Sequence, residues 1–248
     1  MIKRFVDADA LGRAAADLFA RKAREAVEVR GRFSVLLAGG DTPRRTYELL
    51  AVEPHRGRVP WERVHLFWGD ERCVPSDSPH SNAAMVRRAL LDHVPVDPEH
   101  VHPVPCGRSP EEAAAAYEEE LKDFFLGVPP RLDLVLLGLG ADGHTASLLP
   151  GSSAVDEKVR WTAVAKRPEE AFSRVTVTLP LLNGAATVLF LVSGAGKARV
   201  LRALLEDGGR SAASLPASRV RPVSGDLRWF VDDAAASGRP PAIGSGAP

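Results

Sequence analysis

Leu132–Ser147 reads LDLVLLGLGADGHTAS. Its first half, Leu132–Leu137, is an almost continuous apolar run of the kind that suits a strand buried on both faces, as in a parallel sheet. A glycine-rich turn follows at once, Gly138-Leu139-Gly140-Ala141-Asp142-Gly143-His144. Three other segments share this layout. Phe33–Ala38 (FSVLLA) runs into Gly39-Gly40-Asp41-Thr42, Val64–Trp68 into Gly69-Asp70-Glu71-Arg72, and Thr187–Val192 into Ser193-Gly194-Ala195-Gly196-Lys197. Helical patterns intervene. Asp9–Val29 places Leu11, Ala15, Leu18, Ala26 and Val27 near one face. Ser109-Pro110-Glu111-Glu112 reads as a capping box opening a helix to about Phe125. A further helix is expected from Lys197 to Glu206, and a strand at about Trp161–Ala165. This alternation predicts an α/β fold with a mostly parallel sheet. If the strands are parallel, all four turns lie along one edge, where open α/β sheets bind ligands.

Composition narrows the function classes. The 248 residues are 45% hydrophobic and 26% charged, ordinary globular values that exclude a disordered or fibrous chain. Thirty-two Lys and Arg balance thirty-two Asp and Glu, so no basic excess points to nucleic acid or an anionic membrane as partner. Any bound anion must be held by a local site. The longest apolar stretch, about Ala185–Val192, is far short of the roughly 18–20 residues of a membrane span. The charged start, MIKRFVDADALGRAAADLFARKA, lacks a secretory apolar region. Two cysteines, Cys73 and Cys106, make neither a disulfide framework nor a four-ligand zinc site, and a cytoplasmic setting is expected. Residues 1–236 are expected to form one α/β domain, and 237–248 (SGRPPAIGSGAP) a flexible C-terminal tail.

Several residues suit chemistry on a phosphorylated ligand. In Gly39-Gly40-Asp41-Thr42-Pro43, Thr42 suits an N-cap and Pro43 the first helical turn, and the two glycines let backbone approach a ligand. A helix N-terminus there favours a phosphate, although the same residues also suit an ordinary strand-to-helix turn. Lys197, at a helix start after a strand, suits a phosphate or a solvated surface. Its loop is no Walker motif, because Leu191 and Ala198 occupy the positions that need glycine and Ser/Thr. Gly138, Gly140 and Gly143 match G-x-G-x-x-G, but the stretch before Pro150-Gly151 is too short for a crossover helix. Lys166-Arg167, moreover, stand where a nicotinamide site would want an acid. His144 follows Asp142-Gly143 on the expected ligand edge, and an imidazole there can take and return a proton near neutral pH. The alternative is a structural histidine closing a turn. No second histidine or cysteine stands at ligand spacing from it, so no metal site is expected. Asp70-Glu71-Arg72 offers two carboxylates and a cation matched to phosphate oxygens, or else a surface ion-pair network.

Together, LAGGDTP, HLFWGDER, SPHSN, LDLVLLGLGADGHTASLLPGS, RVTVTLPLLNGA and LVSGAGKARVL, in that order over about residues 5–235, resemble the 6-phosphogluconolactonases of the glucosamine-6-phosphate isomerase/6-phosphogluconolactonase family. The resemblance implies a Rossmann-like open sheet with helices on both faces. It also implies a cytosolic, metal-independent and cofactor-free hydrolase of the oxidative pentose phosphate pathway. Its partner would be a small phosphosugar lactone, 6-phospho-D-glucono-1,5-lactone, opened to 6-phosphogluconate. His144 would be the base, with Asp142 orienting it or shaping the turn. Arg72 and Lys197 would hold the phosphate, with Gly39, Gly40 and Thr42 assisting and Arg174 a further candidate. The sibling deaminases carry a glutamate where Leu149 stands here, which favours the lactonase. A deaminase-like enzyme and a non-catalytic sugar-phosphate binder remain as alternatives. Asp41 stands where serine is common, and its carboxylate would repel a phosphate unless it turns away.

Overall fold

The computed structural model of the chain describes residues 1–107, 109–205 and 214–237. In chain order the elements are β1 (Ile2–Phe5), α1 (Ala8–Arg30), β2 (Phe33–Leu37), α2 (Asp41–Leu50), β3 (Val64–Trp68), β4 (Asp70–Arg72), α3 (Asn82–Ala89) and β5 (Val101–His102). They continue with α4 (Pro110–Phe124), β6 (Leu134–Leu137), β7 (Thr162–Lys166), β8 (Ser173–Val177), α5 (Leu179–Asn183), β9 (Thr187–Val192), α6 (Ala198–Leu205), β10 (Asp226–Asp232) and α7 (Asp233–Ala236). The tail expected at 237–248 lies, apart from Ser237, outside the described residues, as does Glu206 at the expected end of α6.

Seven strands form one sheet in the order β1-β10-β9-β6-β2-β3-β5, and every pairing within it is parallel. All of β2, β6 and β9 is buried, which is why their sequences are continuous apolar runs rather than alternating ones. Helices pack around the sheet, α1 against β2 and β10, α2 against β9. The chain lays β3 and β5 on one side of β2, then crosses to place β6, β9 and β10 on the other. Strand order therefore reverses between β2 and β6, the place where an open sheet leaves a crevice beyond its carboxyl ends.

Two buried tyrosines seal the strand ends beside that crevice. The Tyr47 hydroxyl, from α2, donates to Ala38 O (2.8 Å) and accepts from Ala38 N (2.9 Å). Tyr117, from α4, does the same for Trp68, donating to its carbonyl (2.9 Å) and accepting from its amide (2.8 Å). Each hydroxyl satisfies a donor and an acceptor that a buried strand end would otherwise leave orphaned. The Ser109 capping box is present with both of its reciprocal hydrogen bonds. No helix among the described residues is long and apolar enough to cross a membrane.

Two local expectations change. Asp70–Arg72 is not a turn but the strand β4, which pairs antiparallel with β8, and β8 with β7, in a separate three-stranded sheet. Gly69 makes the transition, its amide donating to Leu37 O (2.8 Å) and its carbonyl accepting from Val177 N (2.9 Å). β7 is the strand expected near Trp161–Ala165, but it belongs to this smaller sheet. Thr42 is not the N-cap of α2. Gly40 holds that position with φ 97°, a left-handed value open to glycine, and Thr42 sits inside the first turn.

Candidate active site

The turns after β2, β6 and β9 and the strand β4 meet around one cavity of about 480 Å³. Seven of the eight residues singled out in the sequence line it: Gly39, Gly40, Thr42, Arg72, His144, Arg174 and Lys197. The eighth, Asp142, touches the imidazole that lines it. His144 is the only one of the seven histidines in the wall.

One wall is made by the turn after β6. His144 Nδ1 lies 2.5 Å from Asp142 Oδ1 and 2.9 Å from Nη2 of Arg167, which also reaches Asp142 Oδ2 at 3.0 Å. A carboxylate only accepts and a guanidinium only donates, so Nδ1 cannot serve both. The shorter contact assigns the Nδ1 proton to a bond with Asp142 and leaves Nε2 as the free lone pair. Nε2 has no hydrogen-bond partner among the described residues. Burial lowers the His144 pKa below the ordinary imidazole value, and Arg167 adds to this against the opposing carboxylate. Burial alone would raise Asp142, but the hydrogen bond and charge of His144, together with Arg167, bring its carboxyl down to about 2. Gly140 makes room for the ring, because a Cβ there would stand 2.0 Å from His144 Nδ1. The amides of Gly140 and Gly143 are spent inside the turn, on His144 O (2.8 Å) and Gly140 O (3.0 Å).

The same cavity is also lined by cations. Nη1 of Arg72 donates to His80 O (2.8 Å), while its Nε is buried with no hydrogen-bond partner. Neither Arg72 nor Lys197 has an ion-pair partner among the described residues. Beside them α2 begins with no side-chain cap on its N-terminus, so its first amides stay open. Asp41 also lines the cavity, with its side chain 92% exposed and paired with Arg44 at 3.2 Å. Gly39 has a packing reason of its own, since a Cβ would stand 2.1 Å from Asn82 Oδ1. The Lys197 loop is braced by Asp232, which accepts from Ser193 Oγ (2.5 Å) and Gly194 N (3.1 Å).

Arg174 differs from the other two cations. It is buried, and Glu170 takes Nε at 2.8 Å and Nη2 at 2.5 Å in a two-pronged bond. Its Nη1 lies 3.4 Å from Ser147 Oγ and 3.8 Å from Asp70 Oδ2. Asp70 and Glu71 are buried too, not a surface network. Glu71 points away from the cavity and accepts from Asn82 N and Ala83 N, both at 2.7 Å, at the start of α3. Burial raises its pKa despite these amide bonds. Asp70 lines the cavity and accepts from Ser147 Oγ at 2.5 Å.

Sequence reasoning missed Arg167, Glu170, Ser147 and Asp232. Arg167 stood in view after a strand, but only as a residue where an acid was missing. No cluster of three or more His, Cys, Asp or Glu among the described residues is placed to hold a metal ion.

Residues 6–229 match the family model described as glucosamine-6-phosphate isomerases/6-phosphogluconolactonase. The chain belongs to this family. Among the relatives it resembles is a 6-phosphogluconolactonase from Nostoc sp., 40% identical over 223 residues, covering 88% of this chain and 90% of that protein. Another is the 6-phosphogluconolactonase of Rattus norvegicus, 38% identical over 240 residues, covering 95% and 92%. The solved structure of 6-phosphogluconolactonase from Trypanosoma brucei superposes with a TM-score of 0.85 at 29% identity, covering 97% of this chain and 98% of that one. In family terms, the cavity lies at the C-terminal edge of the fold that these proteins share.

Proposed function

We propose that the chain hydrolyses 6-phospho-D-glucono-1,5-lactone to 6-phosphogluconate, a step of the oxidative pentose phosphate pathway, using one cytoplasmic α/β unit over residues 1–236. The single observation that carries this reading is the presence in one cavity of a carboxylate-held imidazole and of two cations with no ion-pair partner among the described residues. The lactonase relatives supply the substrate class.

Arg72 and Lys197 hold the phosphate, with the open N-terminus of α2 contributing amides at Gly39–Thr42. Anchoring the far end of the sugar turns binding energy into orientation at the carbonyl. Neutral His144 takes a proton at Nε2 from water as the water attacks C1. Asp142 holds the Nδ1 proton and stabilises the imidazolium that forms. The imidazolium then returns its proton to the ring oxygen as the C–O bond breaks. Help of this kind is worth roughly 10²–10⁴-fold. A lactone is already an activated ester, so the account needs no covalent intermediate. Because Gly140 and Gly143 have spent their amides, an oxyanion donor must come from elsewhere in the wall.

The deaminase alternative is disfavoured by Leu149, which is 5% exposed and offers the imidazole no carboxylate. The test is hydrolysis of freshly made lactone, with EDTA present, read by base uptake or by a coupled dehydrogenase. Turnover well above the spontaneous rate is expected. A rate equal to that control, or release of ammonia from glucosamine 6-phosphate, contradicts the proposal.

A further inference from the structure

The two cysteines, 33 positions apart in sequence, are brought together by the fold with their Sγ atoms 2.8 Å apart. Neither lines the cavity, and the proposed reaction uses neither. Both are half-buried free thiols, packed against the edge of the core rather than sealed within it. Cys73 follows directly on β4, whose Asp70 and Arg72 side chains face the cavity, and its amide donates to Ser173 O (2.9 Å) at the start of β8. Cys106 lies in the segment that leads from β5 towards α4. A disulfide needs its sulfurs at about 2.05 Å, so closure asks for a movement of less than about 1 Å.

We propose that Cys73 and Cys106 are a redox modification site: a dithiol that closes to an intramolecular disulfide by exchange with a small-molecule disulfide such as glutathione disulfide, latching β4 to the 103–107 segment. The Cys73 thiol gives its proton to solvent and its sulfur attacks one sulfur of the reagent. The reagent's S–S bond breaks, and one glutathione thiolate leaves and is protonated. Cys106 then loses its proton and attacks Cys73 Sγ, and the second glutathione leaves. Two protein thiols are oxidised and one disulfide is reduced to two thiols. Cys73 is the attacking sulfur. Burial raises both thiols, but a hydrogen bond from Cys106 offsets part of that cost at Cys73. The Glu71 carboxylate works against both thiolates, and Glu111 against Cys73 as well, so exchange is slow. Because the sulfurs barely move, the oxidised protein keeps its cavity. Its gain is in stability, from closing the loop between the two positions.

The experiment equilibrates the full chain in reduced or oxidised glutathione, alkylates it after denaturation, and reads intact mass and melting temperature. The expected product is two hydrogens lighter, carries no alkyl group, melts roughly 5–10 °C higher, and keeps its turnover within about twofold. Cys106→Ser is expected to stop at one glutathione adduct without the rise in melting temperature. Wild-type protein that ends with both thiols alkylated, with glutathione on each cysteine, or with a disulfide and no rise in melting temperature overturns the proposal. The mass readout does not depend on lactone turnover, so its failure is separate from that of the proposed activity.

Discussion

Arg72 and Arg174 are cross-strand partners in the smaller sheet, yet the cations in and around the cavity are treated in two opposite ways. Arg72 and Lys197 have no ion-pair partner among the described residues, and one guanidinium nitrogen of Arg72 is buried with no hydrogen-bond partner among them. Arg174 and Arg167 are saturated, the first by Glu170 with Asp70 nearby, the second by Asp142 with Glu169 and Glu170 at the limit of ion-pair distance. A buried unbonded donor is costly, and it persists where a ligand completes it. Saturated pairs need no ligand, and they fix geometry. On the proposed reading the open cations are the receptor for an anion, and the saturated ones are a frame, Arg167 against the imidazole and Arg174 between Glu170 and Asp70. Residue type alone does not separate these roles, since three of the four are arginines.

Each group breaks in its own way, and the largest effect belongs to His144, which moves the proton in the proposed mechanism. His144→Ala is expected to lower kcat by roughly 10²–10⁴-fold while KM stays within about threefold, read by steady-state lactone hydrolysis. Next comes the frame. Arg174→Ala removes the buried cation that Glu170 and Asp70 share and leaves Glu170 only the more distant Arg167, and thermal denaturation should register a loss of roughly 3 kcal/mol, or about 10 °C. An unchanged melting temperature with a large rise in KM would instead move Arg174 into the receptor group. Arg72→Ala and Lys197→Ala should each raise KM by roughly 10–100-fold with little change in melting temperature, the signature of a lost charge-assisted bond to ligand rather than to protein.

The smallest expected effect sharpens the frame further. The Arg167 cation disfavours a second positive charge on His144, so it helps hold that pKa below the ordinary imidazole value. Only neutral His144 acts as a base, so kcat/KM is lost as pH falls through this lowered pKa and stays level above it. Arg167→Met removes the cation, the pKa rises, and the acidic limb of the profile moves to higher pH. The variant should match the wild type near pH 8 and fall behind it near pH 6. A limb that stays put, or moves down, contradicts the electrostatic role given to Arg167.

What could be read from sequence follows the same division. β2, β6 and β9 were legible because burial on both faces demands a continuous apolar run, and β3 nearly so, with only His65 interrupting it. Their parallel arrangement carries His144, Lys197 and the Gly39-Gly40 turn to one edge, so these site residues followed from the strands that end beside them. β4 was not legible. Its three residues are all charged, and what makes them a strand is pairing with β8 a hundred residues away, with Asp70 and Glu71 satisfied by Ser147 and the start of α3. The Glu170–Arg174 pair spans a hairpin turn that only the second sheet creates. Thr42 looked like the cap because its side chain can cap, but the backbone at Gly40 supplies the turn without one. The meeting of Cys73 with Cys106 likewise left no local mark.

The central claim is that Arg72 and Lys197 select a phosphorylated lactone for the imidazole that shares their cavity. It is tested most directly by the ratio of kcat/KM for 6-phospho-D-glucono-1,5-lactone to that for the unphosphorylated lactone, measured in wild type and in the Arg72→Ala, Lys197→Ala double variant. The account predicts a strong preference for the phosphorylated substrate in the wild type that largely collapses in the double variant, with turnover of the unphosphorylated lactone unchanged. Equal handling of the two lactones by the wild type, or full preference retained after both cations are removed, would contradict it.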